Sequence, residues 1–318
     1  MKKFKLLAAA AALSVSSASF AMPTLITEWD FINEAGWMNW DPATDVTASA
    51  ADSDGGNGSI LTTGPLSTQI CWGDPVVGNQ QSCLEVDSPI TEGTTQVWDE
   101  NGVYQDVNGG AAQGRVQTVA AFGDYTTAFK NGTALRHDNF KLWANTSTPI
   151  ESVTLVDGLQ LTGFYNMGAN NTGAVLAPEL QFAVDFNETR NDGGFDGICE
   201  DGNAVGVGVN VNGCADIFSV IGFAGGNIIG GGADFIDFAV EFVVSGVGPD
   251  VHKRYELITR LSGLQTLGGG AFGFLTEEEK VNVLNAQFAV RAVPEPSTLA
   301  VFALSLVGLV LVGRRKKA

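Results

Sequence analysis

Only two of the 318 residues are histidine, His137 and His252, and only four are cysteine. No Cys-x-x-Cys pair occurs, so a zinc finger or ribbon is not expected. Gly-x-Ser-x-Gly and His-Glu-x-x-His are absent as well, which removes the usual signatures of serine hydrolases and zinc proteases. Lysine and arginine total 17 against 35 acidic residues, a formal net charge of −18. Seven of those cations sit at the two ends, so residues 22–293 carry ten basic and 34 acidic side chains. Such a surface offers no cationic face, and no nucleic-acid partner is expected. It suits solubility outside a cell and the capture of cations. Fixed-period repeats, linkers and a βαβ rhythm are also missing.

What is present is concentrated first at the termini. Lys2, Lys3 and Lys5 precede a run of small and apolar residues over 6–20, with Ser19 and Ala21 placed at −3 and −1 of a cut before Met22. That is the layout of a secretory signal peptide over residues 1–21, read by the Sec translocon and cut by signal peptidase, with a cut after Ala18 as the alternative. At the other end Pro294, Glu295 and Pro296 lead into an apolar run over 299–312, followed by Arg314, Arg315, Lys316 and Lys317. Counted as 16 residues with Thr298 and Gly313, the run reaches ~24 Å as a helix, short of a ~30 Å hydrocarbon core. Local thinning and snorkelling of the basic side chains close the difference. The basic cluster stays cytoplasmic, which expects a transient inner-membrane anchor and places residues 22–292 outside.

This tripartite end resembles the PEP-CTERM sorting signal, carried here by Pro294, Glu295 and Pro296, the apolar segment and the four terminal cations. The resemblance implies an exosortase as processing partner, acting near the Pro-Glu-Pro, and delivery to the cell surface or beyond. It also implies a setting of exopolysaccharide and biofilm. Residues 293–318 are read as the sorting signal and 22–292 as one secreted acidic domain.

Forty glycines, ten prolines and few lysines or glutamates depress helix propensity across the chain. Period-two alternation marks strands at 179–188, with Leu180, Phe182, Val184 and Phe186 on one face, and at 236–244, 255–261 and 286–293. Residues 218–223 form a shorter candidate. Residues 153–156 and 159–164 flank Asp157-Gly158, which reads as a hairpin turn. Thr276 with Glu279 three residues on reads as the cap of one short helical turn. The expected fold is all-β, a single β-sandwich or jelly-roll-like domain between the signal peptide and a C-terminal transmembrane helix. Cys71, Cys83, Cys199 and Cys214 make an even count in an oxidising compartment. Of three pairings, Cys71–Cys83 and Cys199–Cys214 are favoured because each closes a short polar loop.

Chemistry-bearing groups are few. Leu135-Arg136-His137-Asp138-Asn139, then Phe186-Asn187-Glu188-Thr189, Cys199 and Cys214-Ala215-Asp216 together resemble the THxN family of PEP-CTERM proteins. His137 and Asn139 keep the motif's places, and Arg136 stands where the family has Thr. The resemblance implies a secreted β-rich domain with no assigned activity. By itself His137 reads as a structural loop histidine. Asp52 to Gly58 starts like a calcium loop, but Thr63 stands where an EF-hand needs Glu, so it reads as a polar loop. Glu188, Asp192, Asp196, Glu200 and Asp201 crowd around three glycines, and Ca²⁺ is the one cofactor they suggest.

Three functions follow. The first is a non-enzymatic exported protein of the cell surface or matrix. The second is a carbohydrate-binding module or adhesin, using exposed tryptophan and Ca²⁺. The third is a glycoside hydrolase or lyase, which needs paired carboxylates in one cleft. Most of the six tryptophans are expected in the core.

Overall fold

The computed structural model describes residues 23–49, 60–63, 66–76, 78, 80–143, 148–266 and 272–294. The signal peptide with its Ala21–Met22 cut, the 52–58 loop, and Glu295, Pro296 and the apolar run with Arg314, Arg315, Lys316 and Lys317 lie outside these residues. Among the described residues the chain is all-β, with twenty strands, two short 3-10 turns and no α-helix. No helix there is long and apolar enough to cross a membrane.

Eighteen strands join by pairing into one mixed set, while Gln96–Trp98 and Tyr104–Asp106 pair separately. The large set contains two runs. In the first, Glu28–Asp41 pairs along nearly all of Ser152–Tyr165. That strand's first half then pairs Leu180–Asn187 and its second half Asn170–Leu176. Leu180–Asn187 continues to Asp216–Ala224 and then to Phe272–Thr276. The second run passes from Phe235–Val243 to Arg254–Ser262, Lys280–Ala292, Leu135–Asn139, Ser82–Val86 and Gln69–Trp72. Val116–Val119 pairs with Glu28–Asp41 and, in parallel, with Lys280–Ala292, and so joins the runs.

Alternation dictates which side chains meet. Trp29 and Phe31 from the first run meet Tyr255, Phe242 and Phe288 from the second in edge-on contacts of 4.8–5.8 Å. Phe182 meets Phe238 at 5.1 Å in the same way. Trp29, Phe182, Phe238 and Tyr255 are all buried to 1 % exposure or less. Each such ring contributes ~1.5–3 kcal/mol through burial and ~0.5–1.5 kcal/mol more through ring geometry. The polar tips are satisfied: Trp29 Nε1 donates to Thr118 Oγ1 at 2.8 Å, and Tyr255 Oη accepts from Ile26 N at 3.0 Å.

Both favoured disulfides form. Cys71–Cys83 bridges residues directly opposite one another on paired strands, and Cys199–Cys214 closes the acidic loop. The strands expected at 179–188, 218–223, 236–244, 255–261 and 286–293 are present, with slightly different limits.

Three local expectations are corrected. Asp157-Gly158 is not a turn, because Ser152–Tyr165 runs straight through it. Asp157 is in phase with inward Val153, Leu155, Leu159 and Leu161, and its carboxylate accepts from Asn33 Nδ2 at 2.7 Å and Thr133 Oγ1 at 3.3 Å. Gly158 leaves room for Leu61, since a Cβ there would lie 2.4 Å from Leu61 Cδ2. Thr276 caps no helix. It ends a strand, and residues 277–279 cross tightly to the other run, Glu279 adopting φ 57°. His137 lies within the strand Leu135–Asn139, not on a loop. The 14-residue strand Glu28–Asp41 went unread, because Asn33 and Glu34 interrupt its Trp29–Phe31–Ala35–Trp37 face.

Candidate functional site

The chemistry gathers where the crossover 277–279 passes the end of the His137 strand. Leu180–Asn187 buries its even-numbered residues, and Glu188 continues that phase beyond the last pair. Asp216 opens the next strand in phase with buried Phe218 and sits opposite Thr276. Glu278 comes from the crossover, whose shape is fixed by Asn282. Its Oδ1 accepts from Glu277 N at 2.8 Å, and its Nδ2 donates to Glu277 O at 3.0 Å. One carboxylate oxygen each from Glu188, Asp216 and Glu278 lie within 4.8 Å of one another. Asp216 and Glu278 are 0 % exposed.

Donors around the triad are fewer than acceptors. Thr189 N donates to Asp216 Oδ1 at 2.8 Å, and the Asn191 side-chain amide, oriented nitrogen-inward, reaches both Glu278 oxygens at 3.2 and 3.3 Å. Glu188 Oε2 and Asp216 Oδ2 have no hydrogen-bond partner. Burial and the neighbouring Glu278 push Glu188 up to about 8. Burial, with a smaller contribution from Glu188, pushes Asp216 well above the carboxylate range. Burial raises Glu278 to about 7 against the pull of Lys141. Lys141 is itself paired with Glu279 at 3.3 Å. Like charges in a poorly solvated site cannot all ionise without a counter-charge.

The motif residues line this site. His137 Nδ1 lies 3.0 Å from Thr276 Oγ1, and Asn139 Nδ2 donates to Thr276 O at 3.1 Å. Trp72 stacks on His137 with ring centres 5.6 Å apart, and Phe218 meets the imidazole edge-on at 5.0 Å. Burial pushes His137 down to about 3, so it is neutral and supplies no positive charge. The Trp72 indole faces Glu188 and the Asn139 amide faces Asp216, and each lowers its neighbour slightly. Neither contact has ordinary hydrogen-bond geometry, and Trp72 Nε1 and Asn139 Oδ1 are left without partners. A surface pocket of about 440 Å³, bounded by Leu142, Pro149 and Asn191, reaches Glu188. A second cavity, of about 40 Å³, lies among apolar side chains beside His137.

Of the five acidic residues singled out by sequence, only Glu188 enters the triad. Asp192 Oδ1 accepts from Gly194 N at 3.0 Å and Asp196 Oδ1 from Ile198 N at 3.3 Å. Asp201 accepts from Asn203 N and Asn210 Nδ2, both at 3.0 Å, and Glu200 from Asn187 Nδ2. These carboxylates shape turns of their own loop. Asp216 and Glu278 were not picked out as site residues. The readable signal for Asp216 and Glu188 is an acid in phase with a buried face; no comparable signal marks Glu278. Trp29, Trp37, Trp72 and Trp98 are buried, Trp40 is half-buried and Trp143 is 56 % exposed. The disulfides occupy all four cysteines, which excludes thiolate ligation.

Residues 292–316 match the PEP-CTERM protein-sorting motif. No curated protein matches the chain. The matched motif begins at the last residue of the final strand, Lys280–Ala292. The chain therefore carries a PEP-CTERM signal, which indicates export to the cell surface with exosortase as the processing partner.

Proposed function

We propose that the chain is a non-enzymatic protein of the cell surface or extracellular matrix, whose β body is a two-sheet sandwich and whose setting is exopolysaccharide. The observation that carries this reading is the junction at Ala292, where the last strand ends and the sorting motif begins. Cutting near Pro294 then releases a body with every strand intact. The signal peptide delivers the chain to the Sec translocon, and the apolar run over 299–312 holds it in the inner membrane until that cut.

The sandwich reading draws on the aromatic contacts between the two runs, every one of which joins a strand of one to a strand of the other. The non-enzymatic reading draws on the triad's burial. A glycosidase needs two carboxylates flanking a sugar in one open cleft. Of the triad only Glu188 lines the surface pocket, the other acid there, Asp192, is paired with Arg190, and Asp216 and Glu278 are 0 % exposed. Carbohydrate binding has one supporting observation, the exposed ring of Trp143. A pull-down on the host's polysaccharide, lost in Trp143→Ala, would favour it over the first reading.

Intact-mass measurement in the native host tests the proposal, with and without its exosortase. The expected product lacks the N-terminal signal and everything after the Pro-Glu-Pro region, has both disulfides oxidised, and fails to mature without exosortase. A full-length, thiol-reduced chain in the cytosol of the wild-type host would contradict it.

A further inference from the structure

We infer that Glu188, Asp216 and Glu278 bind one divalent cation of calcium's size, and that this ion ties the two runs of strands together at the crossover.

Three observations converge. First, the triad offers oxygen ligands alone, each within 4.8 Å of the others. Two oxygens on one Ca²⁺ at ~2.4 Å can be no further apart than twice that distance. Second, buried polar atoms in and around the triad lack partners. Asn139 and Trp72 are 0 % exposed, Asn139 Oδ1 lacks a donor, and Trp72 Nε1 lacks an acceptor although its ring faces Glu188. Buried polar atoms are nearly always satisfied. The unpaired oxygens of Asn139, Glu188 and Asp216 are the electrostatic complement of a cation. Third, the pocket at Glu188 gives ion and water a way in from solvent.

The donor set selects the metal. Zinc prefers nitrogen and sulfur. Here the sulfurs are in disulfides, and the ligand atoms that gather are carboxylate oxygens alone, with no His137 nitrogen among them. Magnesium demands near-octahedral ligands at ~2.0–2.1 Å, whereas calcium accepts longer, irregular oxygen sets. Placement gives the ion its consequence. Glu188 directly follows Leu180–Asn187 and Asp216 opens Asp216–Ala224, both of the first run, while Glu278 lies on the segment leading into Lys280–Ala292 of the second. The test needs only the purified chain, so its failure leaves the export reading untouched.

The full chain is stripped with EDTA, desalted, and titrated with CaCl₂ by calorimetry and thermal melting. One site per chain is expected. At ~100-fold above the binding midpoint, Ca²⁺ should raise Tm by about 5 °C or more, and MgCl₂ clearly less. Glu188→Gln with Asp216→Asn should fold without Ca²⁺, since it relieves the carboxylate repulsion, and should lose the Tm response. Asp192→Asn with Asp196→Asn should keep that response in full. The inference is overturned if the wild-type chain gives neither binding heat nor a Tm shift. It is equally overturned if the Glu188→Gln, Asp216→Asn chain responds like wild type. Should that variant not fold, Glu278→Gln replaces it under the same two outcomes.

Discussion

The two acidic clusters, one compact in sequence and one compact in space, behave oppositely. From Asp192 to Asp201 the carboxylates are close in sequence, and each finds a backbone or amide donor, three of them within the loop and Glu200 from Asn187 at the end of the preceding strand. Glu188, Asp216 and Glu278 are dispersed in sequence, meet within 4.8 Å, and leave Glu188 Oε2 and Asp216 Oδ2 without donors. Density along the chain therefore marked a self-satisfied loop. Density in space, which only the strand pairing creates, marks the place where negative charge has no answer.

The largest effect should come from separating the two clusters. Cys199–Cys214 ties the loop to the residue pair just before Asp216. Replacing both cysteines with serine should cost about 3 kcal/mol, from the entropy of a loop of this length. A denaturant midpoint that does not move would mean the loop and the strand end are held together by other contacts.

Asp157 sharpens the comparison, being a buried acid that does have donors. Burial raises it to about 6 from 3.8, against the hydrogen bonds from Asn33 and Thr133. The folded state thus holds its proton more tightly than the unfolded one. The contribution of Asp157 to stability should be full below pH 4, fall between about 4 and 6, and then level off. Asp157→Asn keeps an acceptor for Asn33, should remove this part of the fall, and should gain about 2 kcal/mol near pH 7. An unchanged pH profile in urea melts would show that this carboxyl ionises freely.

Glu278 follows the same sign in cation-free buffer. Its folded value of about 7 lies above the ordinary 4.5, so stability drains away as pH rises through that interval. Glu278→Gln should gain about 2 kcal/mol at pH 8 and nothing at pH 4. Equal gains at both pH values would assign the effect to packing instead of charge. The smallest change belongs to the loop: Asp192, whose side chain is 68 % exposed, should alter stability by less than about 0.5 kcal/mol as Asp192→Asn.

Much of the fold was legible, and the reasons are physical. Period-two faces such as Leu180–Phe186 and Phe238–Val244 announce strands because one side must leave water. The cysteine pairs were readable from short spacing. Asp157-Gly158 misled because turn chemistry was weighed without the partner strand that holds it straight. Trp29–Trp37 escaped because Asn33, which donates to Asp157 and Gly158, breaks an apolar face. At the site, His137 and Asn139 were visible as a motif, and Glu188 differs from the loop carboxylates in sequence only by standing in phase with the buried face of Leu180–Asn187. Glu278 was read as part of a helical turn because Thr-Glu-Glu-Glu satisfies a capping pattern. Its role depends on a crossover between strands far apart in sequence.

The central claim is that the buried triad, and not the acidic loop, is the cation site, and Trp72 offers a direct probe because its ring faces Glu188. Terbium luminescence excited through tryptophan should appear on adding Tb³⁺ to the full chain and be displaced by Ca²⁺. It should vanish in Asp216→Asn, fall sharply in Trp72→Phe, and persist in Asp192→Asn with Asp196→Asn. Emission that survives Asp216→Asn and disappears with the loop substitutions would contradict the account.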